Sequence, residues 1–178
     1  NFINFFNYLN NSNSLKKPCT LISYDIFKKS LPNWFNELIN TNNNINIINK
    51  DITIEKNFPE VDYIIHAASI ASPSYYRKYP LETIDANVNG IRNILDFFKN
   101  KKIESILYFS TSEIYGDPDN DNIPTSENYN GNVSTIGPRA CYDESKRFGE
   151  TLSVTYNKVY NVPVKIVRPF NNYGPGLH

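Results

Sequence analysis

Val61-Asp62-Tyr63-Ile64-Ile65-His66 is an apolar run of strand length, and it leads directly into the small residues Ala67-Ala68-Ser69. Leu81 to Phe98 follows with helical spacing, which puts Ile84, Val88, Ile91, Ile94, Leu95 and Phe98 on one side. Ile103 to Phe109 is the next strand. Strand, helix, strand is the unit that builds a parallel sheet, because parallel neighbours need a long crossover. The same alternation extends both ways. Upstream, Phe2 to Leu9 reads as the end of an amphipathic helix, Thr20 to Asp25 as a buried strand closing on an acid, and Ile45 to Ile48 as a strand followed by Asp51-Ile52. Downstream, Asp117 to Gly137 is rich in Asp, Asn, Pro and Gly and reads as a long loop. Tyr142 to Tyr160 reads as a helix and Val164 to Val167 as a strand. The fold class this predicts is α/β, a parallel sheet wound on both faces.

The chain has 178 residues, enough for one domain with a real core, and shows neither an internal repeat nor a domain linker. Lysine plus arginine and aspartate plus glutamate both number 18, so the net charge is zero. That balance argues against nucleic acid or a membrane surface as partner. Cys19 and Cys141 have no metal-ligand spacing and make no disulfide framework, so no metal is expected and a reducing cytoplasm fits. No apolar run reaches membrane-span length, and no signal peptide is visible. The asparagine clusters, Asn42-Asn43-Asn44 and those between Asn10 and Asn13, read as loop bias. There is no methionine, and the chain opens on Asn1-Phe2-Ile3-Asn4-Phe5-Phe6, a helical pattern without a cap. It closes on Gly176-Leu177-His178, just after a strand and turn. The expectation is a piece of a longer chain, with the sheet incomplete at both ends.

The chemistry lies in Tyr142-Asp143-Glu144-Ser145-Lys146 and in Ser110-Thr111-Ser112-Glu113-Ile114-Tyr115-Gly116 upstream. Tyrosine and lysine at i and i+4 share a helix face. An ammonium there would favour the phenolate of a tyrosine acting as base. A hydroxyl at a strand end can hold the same substrate oxygen, so the set suits proton removal from a sugar alcohol as hydride leaves its carbon. Ligands of wound parallel sheets sit at the carboxyl ends of the strands, where Asp25, Asp51, Ala67, Ala68, Thr111 and Asn171 fall. A dinucleotide site also needs a glycine-rich turn and an acid for the ribose. Asp25 is placed for the acid and favours NAD over NADP. The glycine turn is absent, as it would be if Asn1 already lay inside the first helix.

Taken together, these blocks resemble the extended short-chain dehydrogenase/reductase family of nucleotide-sugar enzymes. The matching blocks are His66-Ala67-Ala68-Ser69, Asn87 to Gly90, Ser110 to Gly116, Tyr142 to Lys146 and Arg168-Pro169-Phe170-Asn171. Within the family the likeness is to the branch that decarboxylates UDP-glucuronate to UDP-xylose. Ala71-Ser72-Pro73-Ser74-Tyr75-Tyr76, Thr111-Ser112-Glu113 and Gly137-Pro138-Arg139-Ala140-Cys141-Tyr142-Asp143-Glu144 carry that finer likeness.

The resemblance implies a partial Rossmann-like NAD-binding domain over residues 1–178, lacking the first strand, the glycine-rich turn and most of the C-terminal substrate-binding portion. It implies that Tyr142 is the base, Lys146 its partner and a ribose ligand, Thr111 the assisting hydroxyl and Glu113 a second acid/base group. Asp25, Asp51, Ile52, Ala67, Ala68, Ser69, Asn87, Tyr142 and Lys146 would line the NAD site. Pro73, Tyr76, Ser112, Glu113 and Asn171 would contact the nucleotide sugar, and the protein would be a homodimer.

Plainer readings stand beside these. Pro73 shapes a turn, Tyr76 is one of several exposed tyrosines, His66 ends a strand, and Cys141 packs beside Tyr142. A 4,6-dehydratase carries an acid pair after the threonine, and here Ser112 holds the first of those positions. A 4-epimerase needs no second acid there. The alternatives are these two activities, a non-catalytic nucleotide-binding protein, and an enzyme of which this piece alone is inactive.

Overall fold

A computed structural model describes residues 2–12, 14–26 and 30–173. The chain divides into two compact units at Asp51 and Ile52.

In the first unit, helix α1 (Phe2–Asn11) leads to strand β1 (Leu21–Asp25), helix α2 (Asn33–Thr41) and strand β2 (Ile45–Asn49). The Asn10 side chain ties the end of α1 to the chain entering β1. Its Nδ2 donates to the Cys19 carbonyl at 2.8 Å, and its Oδ1 accepts from the Cys19 amide at 2.7 Å. β1 and β2 pair in parallel from Leu21 opposite Ile45 to Asp25 opposite Asn49. The expected buried strand is half-buried along Leu21 to Tyr24. The described ladder has two strands; α1 and α2 contribute no buried residue, and Ile45 of β2 is buried.

The second unit, Ile52–Asn172, carries strands β3 (Tyr63–His66), β4 (Ser105–Phe109) and β5 (Val164–Val167), all parallel in that order. Helix α3 (Pro73–Lys78) begins with Pro73 at its first position, where the missing amide hydrogen costs nothing. Helix α4 (Pro80–Asp85) continues through a π-turn, Ala86–Gly90, into helix α5 (Ile91–Phe98). The segment expected as one helix is therefore continuous but locally widened. Helix α6 (Ala140–Tyr160) ends at Asn161, whose left-handed φ of 57° closes it.

The core lies between these helices and the sheet. Ile91, Leu95 and Phe98 of α5, Ile106 and Tyr108 of β4, and Leu152 and Tyr156 of α6 are all buried. The Tyr156 hydroxyl donates to Asp96 at 2.7 Å, which joins α6 to α5.

One contact sets how closely α6 approaches β4. Tyr108 is fully buried, and a Cβ on Gly149 would stand 2.6 Å from its Cζ. Glycine is required here for close approach. Gly149→Ala should destabilise the unit by about 1–3 kcal/mol, as overpacking does. Adding Tyr108→Leu should recover part of that loss. Urea unfolding of both variants checks this, and an unchanged midpoint for Gly149→Ala would show that α6 can move away freely.

Candidate active site

Thr111 follows β4 and starts the 3₁₀ turn Ser112–Tyr115, where its Oγ1 accepts from the Glu113 amide at 3.3 Å. That bond fixes the hydroxyl and leaves its proton and a lone pair available. Tyr142 lies in the first turn of α6, and the Thr111 side chain is near enough to its hydroxyl to pull its pKa down against burial. Strand end and helix start therefore meet at two hydroxyls, both buried.

Lys146 stands one helical turn after Tyr142 and is 2% exposed. Its Nζ donates to the Phe109 carbonyl at 2.7 Å and lies 5.4 Å from the Tyr108 ring centroid and 5.9 Å from that of Tyr142. Burial pushes its pKa down to about 8, because a cation is poorly solvated there.

The expected stabilisation of the Tyr142 phenolate is not what this arrangement gives. The Tyr142 hydroxyl is pushed above the ordinary tyrosine value. Burial is the largest cause, the Thr111 side chain pulls the other way, and Glu113, Asp143 and Tyr76 push it further up. The Lys146 ammonium is engaged at Phe109, so burial outweighs the spacing argument.

Tyr76, from α3, is 1% exposed and stacks on Tyr142, with centroids 5.2 Å apart and planes inclined by 14°. It is not one of the exposed tyrosines; Tyr75 beside it is. Cys141 donates to the Tyr76 carbonyl at 3.6 Å, consistent with packing at this spot. Asn87, on the π-turn, is fully buried and donates to Ser145 Oγ at 2.9 Å. Ile52 accepts from Asn93 Nδ2 through its carbonyl at 2.9 Å. Ala67 and Ala68 are exposed beyond β3 and Ser69 is half-buried. Pro73 and Asn171 are exposed, and Ser112 is half-buried beside Glu113. Asp25 closes β1 and Asp51 follows β2, both in the first unit.

Several buried polar atoms in the second unit have no partner: Ser69 Oγ, the Tyr76 hydroxyl, Asn87 Oδ1, Ser110 Oγ and both His66 ring nitrogens. Unpaired buried groups are costly and uncommon. Three of these residues, Ser69, Tyr76 and Asn87, are ones the resemblance gave to cofactor or substrate, so the side chains present fit polar ligands.

Arg139 and Asp143 were given no role by the sequence reading. Arg139, immediately before α6, forms ion pairs with Glu113 and, at 3.5 Å, with Asp143. Their i, i+4 spacing around Tyr142 was the available signal. Burial pushes Asp143 up to about 6, opposed by the guanidinium of Arg139 and reinforced by Glu113. Arg168 and Glu150 were missed as a pair: Arg168 Nε and Nη2 donate to Glu150 at 3.0 and 2.7 Å, joining the end of β5 to α6.

Residues 14–178 match the pattern of the NAD dependent epimerase/dehydratase family. The chain belongs to that family. It is 42% identical over 151 residues to UDP-glucuronic acid decarboxylase 1 of Xenopus tropicalis, a match covering 85% of this chain and 34% of the relative. It is 46% identical over 132 residues to UDP-glucuronic acid decarboxylase 6 of Arabidopsis thaliana, covering 74% of this chain and 37% of the relative. The matches therefore span about a third of the length of these curated relatives. Among solved structures, UDP-glucuronic acid 4-epimerase from Bacillus cereus in complex with NAD shares the fold at a TM-score of 0.70 and 24% identity. That match covers 98% of this chain and 54% of the other. The α/β architecture with parallel sheets read from the sequence is thus that of the epimerase/dehydratase family.

His66 also makes stability depend on pH. Burial drives its pKa from the ordinary 6.5 down to about 3, and the Lys146 charge adds to this. The folded state keeps the imidazole neutral, whereas the unfolded chain takes up a proton below about 6.5. Its contribution is fully present above that pH and is lost as pH falls toward 3. His66→Phe should flatten the stability profile across this window in urea titrations. Equal slopes for variant and wild type would show that His66 binds no proton on unfolding.

Proposed function

We propose that the whole protein is an NAD-dependent nucleotide-sugar enzyme that decarboxylates UDP-glucuronate to UDP-xylose. The observation that carries this is the Thr111–Tyr142 hydroxyl pair, with the Glu113 carboxylate one turn residue away and Lys146 buried behind it. The identity to curated UDP-glucuronic acid decarboxylases supports the choice of substrate.

In this reading the phenolate form of Tyr142, a minority because burial raises its pKa, accepts the C4 hydroxyl proton, and Thr111 holds the same oxygen. NAD⁺, when bound, supplies the hydride acceptor and later returns the hydride. Oxidation at C4 makes the substrate a β-keto acid, so the C5 carboxylate can depart as CO₂ with its electrons delocalised toward the ketone. Glu113 lies at the sugar ring and manages the proton at C5. Tyr142 gives its proton back when the C4 alcohol is re-formed. Ser69, Asn87 and Lys146 would hold the cofactor, and Tyr76 would face the sugar. The acid closing β1, Asp25, supports NAD over NADP.

The test is an assay of the whole protein with UDP-glucuronate and a catalytic amount of NAD⁺. CO₂ and UDP-xylose should form without net NADH, and NADP⁺ should not substitute. Tyr142→Phe should lower kcat by about two to four orders of magnitude, the scale of a general acid–base group, with little change in NAD affinity. Stoichiometric NADH with a 4-keto product would indicate an oxidative decarboxylase. Turnover of another nucleotide sugar alone would make the protein an epimerase or dehydratase.

A second copy of the chain is the protein partner we propose. Beyond the family resemblance, an open groove between α4 and α6 supports it. The groove is lined by Ile84, Val88 and Phe148, and Phe148 is 50% exposed. Sedimentation equilibrium should give a dimer, weakened by Phe148→Glu; a monomeric wild type would overturn this.

A further inference from the structure

Arg139 stands at the mouth of α6, and its position is fixed by the backbone. Its carbonyl accepts from the Tyr142 amide at 2.9 Å and the Asp143 amide at 3.0 Å, so it is the acceptor that closes the first helical turn. Its side chain turns back over that same turn. The guanidinium pairs with Glu113, which arrives from the 3₁₀ turn after β4, and lies 3.5 Å from Asp143 on α6. The two carboxylates come from different elements and meet at one cation. Asp143 is 8% exposed and its Oδ1 has no partner, so it is poorly solvated. Glu113 keeps about a third of its side chain exposed, which leaves it open to a ligand. Tyr142 and Tyr76 face the same cluster, and Glu144 adjoins Asp143 on the helix.

We propose that Arg139 is a positioning residue that clamps Glu113 beside Tyr142, with Asp143 as the buried anchor of the clamp. The inference rests on the reading of Glu113 as an acid/base group and adds how that group is held. Without the guanidinium, two carboxylates would face each other and two tyrosine hydroxyls with no cation between them. Glu113 would then swing toward solvent, away from Tyr142. A planar fork can touch both carboxylates at once, which a lysine does less well.

The test uses the whole protein and two independent readouts. The first is the ¹³C NMR titration of the Asp143 carboxyl, which needs no turnover. Arg139→Gln should raise its midpoint by about one pH unit or more, the scale on which a nearby opposite charge acts. Glu113→Gln should lower it, because a like charge has gone, and Arg139→Lys should return it most of the way toward wild type. The second readout is kinetic. Arg139→Gln should lower kcat for UDP-glucuronate about tenfold to a hundredfold, within the range for acid–base groups. NAD affinity should stay within about twofold, and Arg139→Lys should recover most of the rate. If Arg139→Gln fails to fold, Glu113→Gln carries the test of the midpoint. A midpoint unmoved in Arg139→Gln or in Glu113→Gln overturns the clamp, as does a normal kcat in Arg139→Gln. Midpoints that move as expected in a protein that does not turn over UDP-glucuronate would uphold the clamp and reject the substrate.

Discussion

A buried ammonium governs the second unit. Lys146 is taken almost wholly out of water, and burying a charge is tolerated only when specific partners replace solvent. Here the partners are the Phe109 carbonyl and the face of Tyr108, both from β4. The cation therefore ties α6 to the end of that strand at a defined height. Once that height is set, Tyr142 one turn earlier falls opposite Thr111, and the helix mouth falls opposite Glu113. His66 is held neutral by the same burial and the same positive charge. The hydroxyl pair, the acid cluster and the silent histidine all follow from where one lysine ends.

Every long element of the second unit was readable from periodicity, because its apolar residues repeat at the spacing of the structure they form. β3 and β4 start two residues inside the expected strands, at Tyr63 and Ser105, and β5 begins at Val164 as expected. Two helices escaped notice. α2, with Trp34 and Phe35, sits in an asparagine-rich stretch, and its N-cap residue Pro32 makes no side-chain bond. α3 has only six residues and opens on Ser72-Pro73-Ser74, which read as a turn. The helical spacing did not disclose the π-turn, because its apolar residue Val88 still falls on the periodic face, although Gly90 is a weak helix former.

The site was legible as a set of residues and not as a set of charges. Spacing put Tyr142 and Lys146 on one face and Thr111 at a strand end, and the fold brings all three into one place. Spacing could not show that Lys146 bonds a backbone carbonyl or that Tyr142 is driven upward by burial. Nor could it show that Tyr76 lies flat on Tyr142. Those depend on depth, which emerges only when sheet and helices close on each other. Arg139 and Asp143 were visible as an oppositely charged pair, yet such pairs are common on exposed helices. Only Glu113 arriving from another element distinguishes this one.

The π-turn between α4 and α5 has one further consequence. A widened turn holds one residue more than an α-helix uses, and at this place the extra length leaves Asn87 directed at Ser145. Removing one residue from Ala86–Gly90 would let the helix run on without a break. The flanking helices would keep their facing, because the wide turn absorbs the extra residue, but Asn87 would lose its direction toward Ser145. The apolar stripe and the asparagine could then no longer both face inward. This segment can accept changes of side chain more readily than a change of length, so its residue count is itself a constraint on the site.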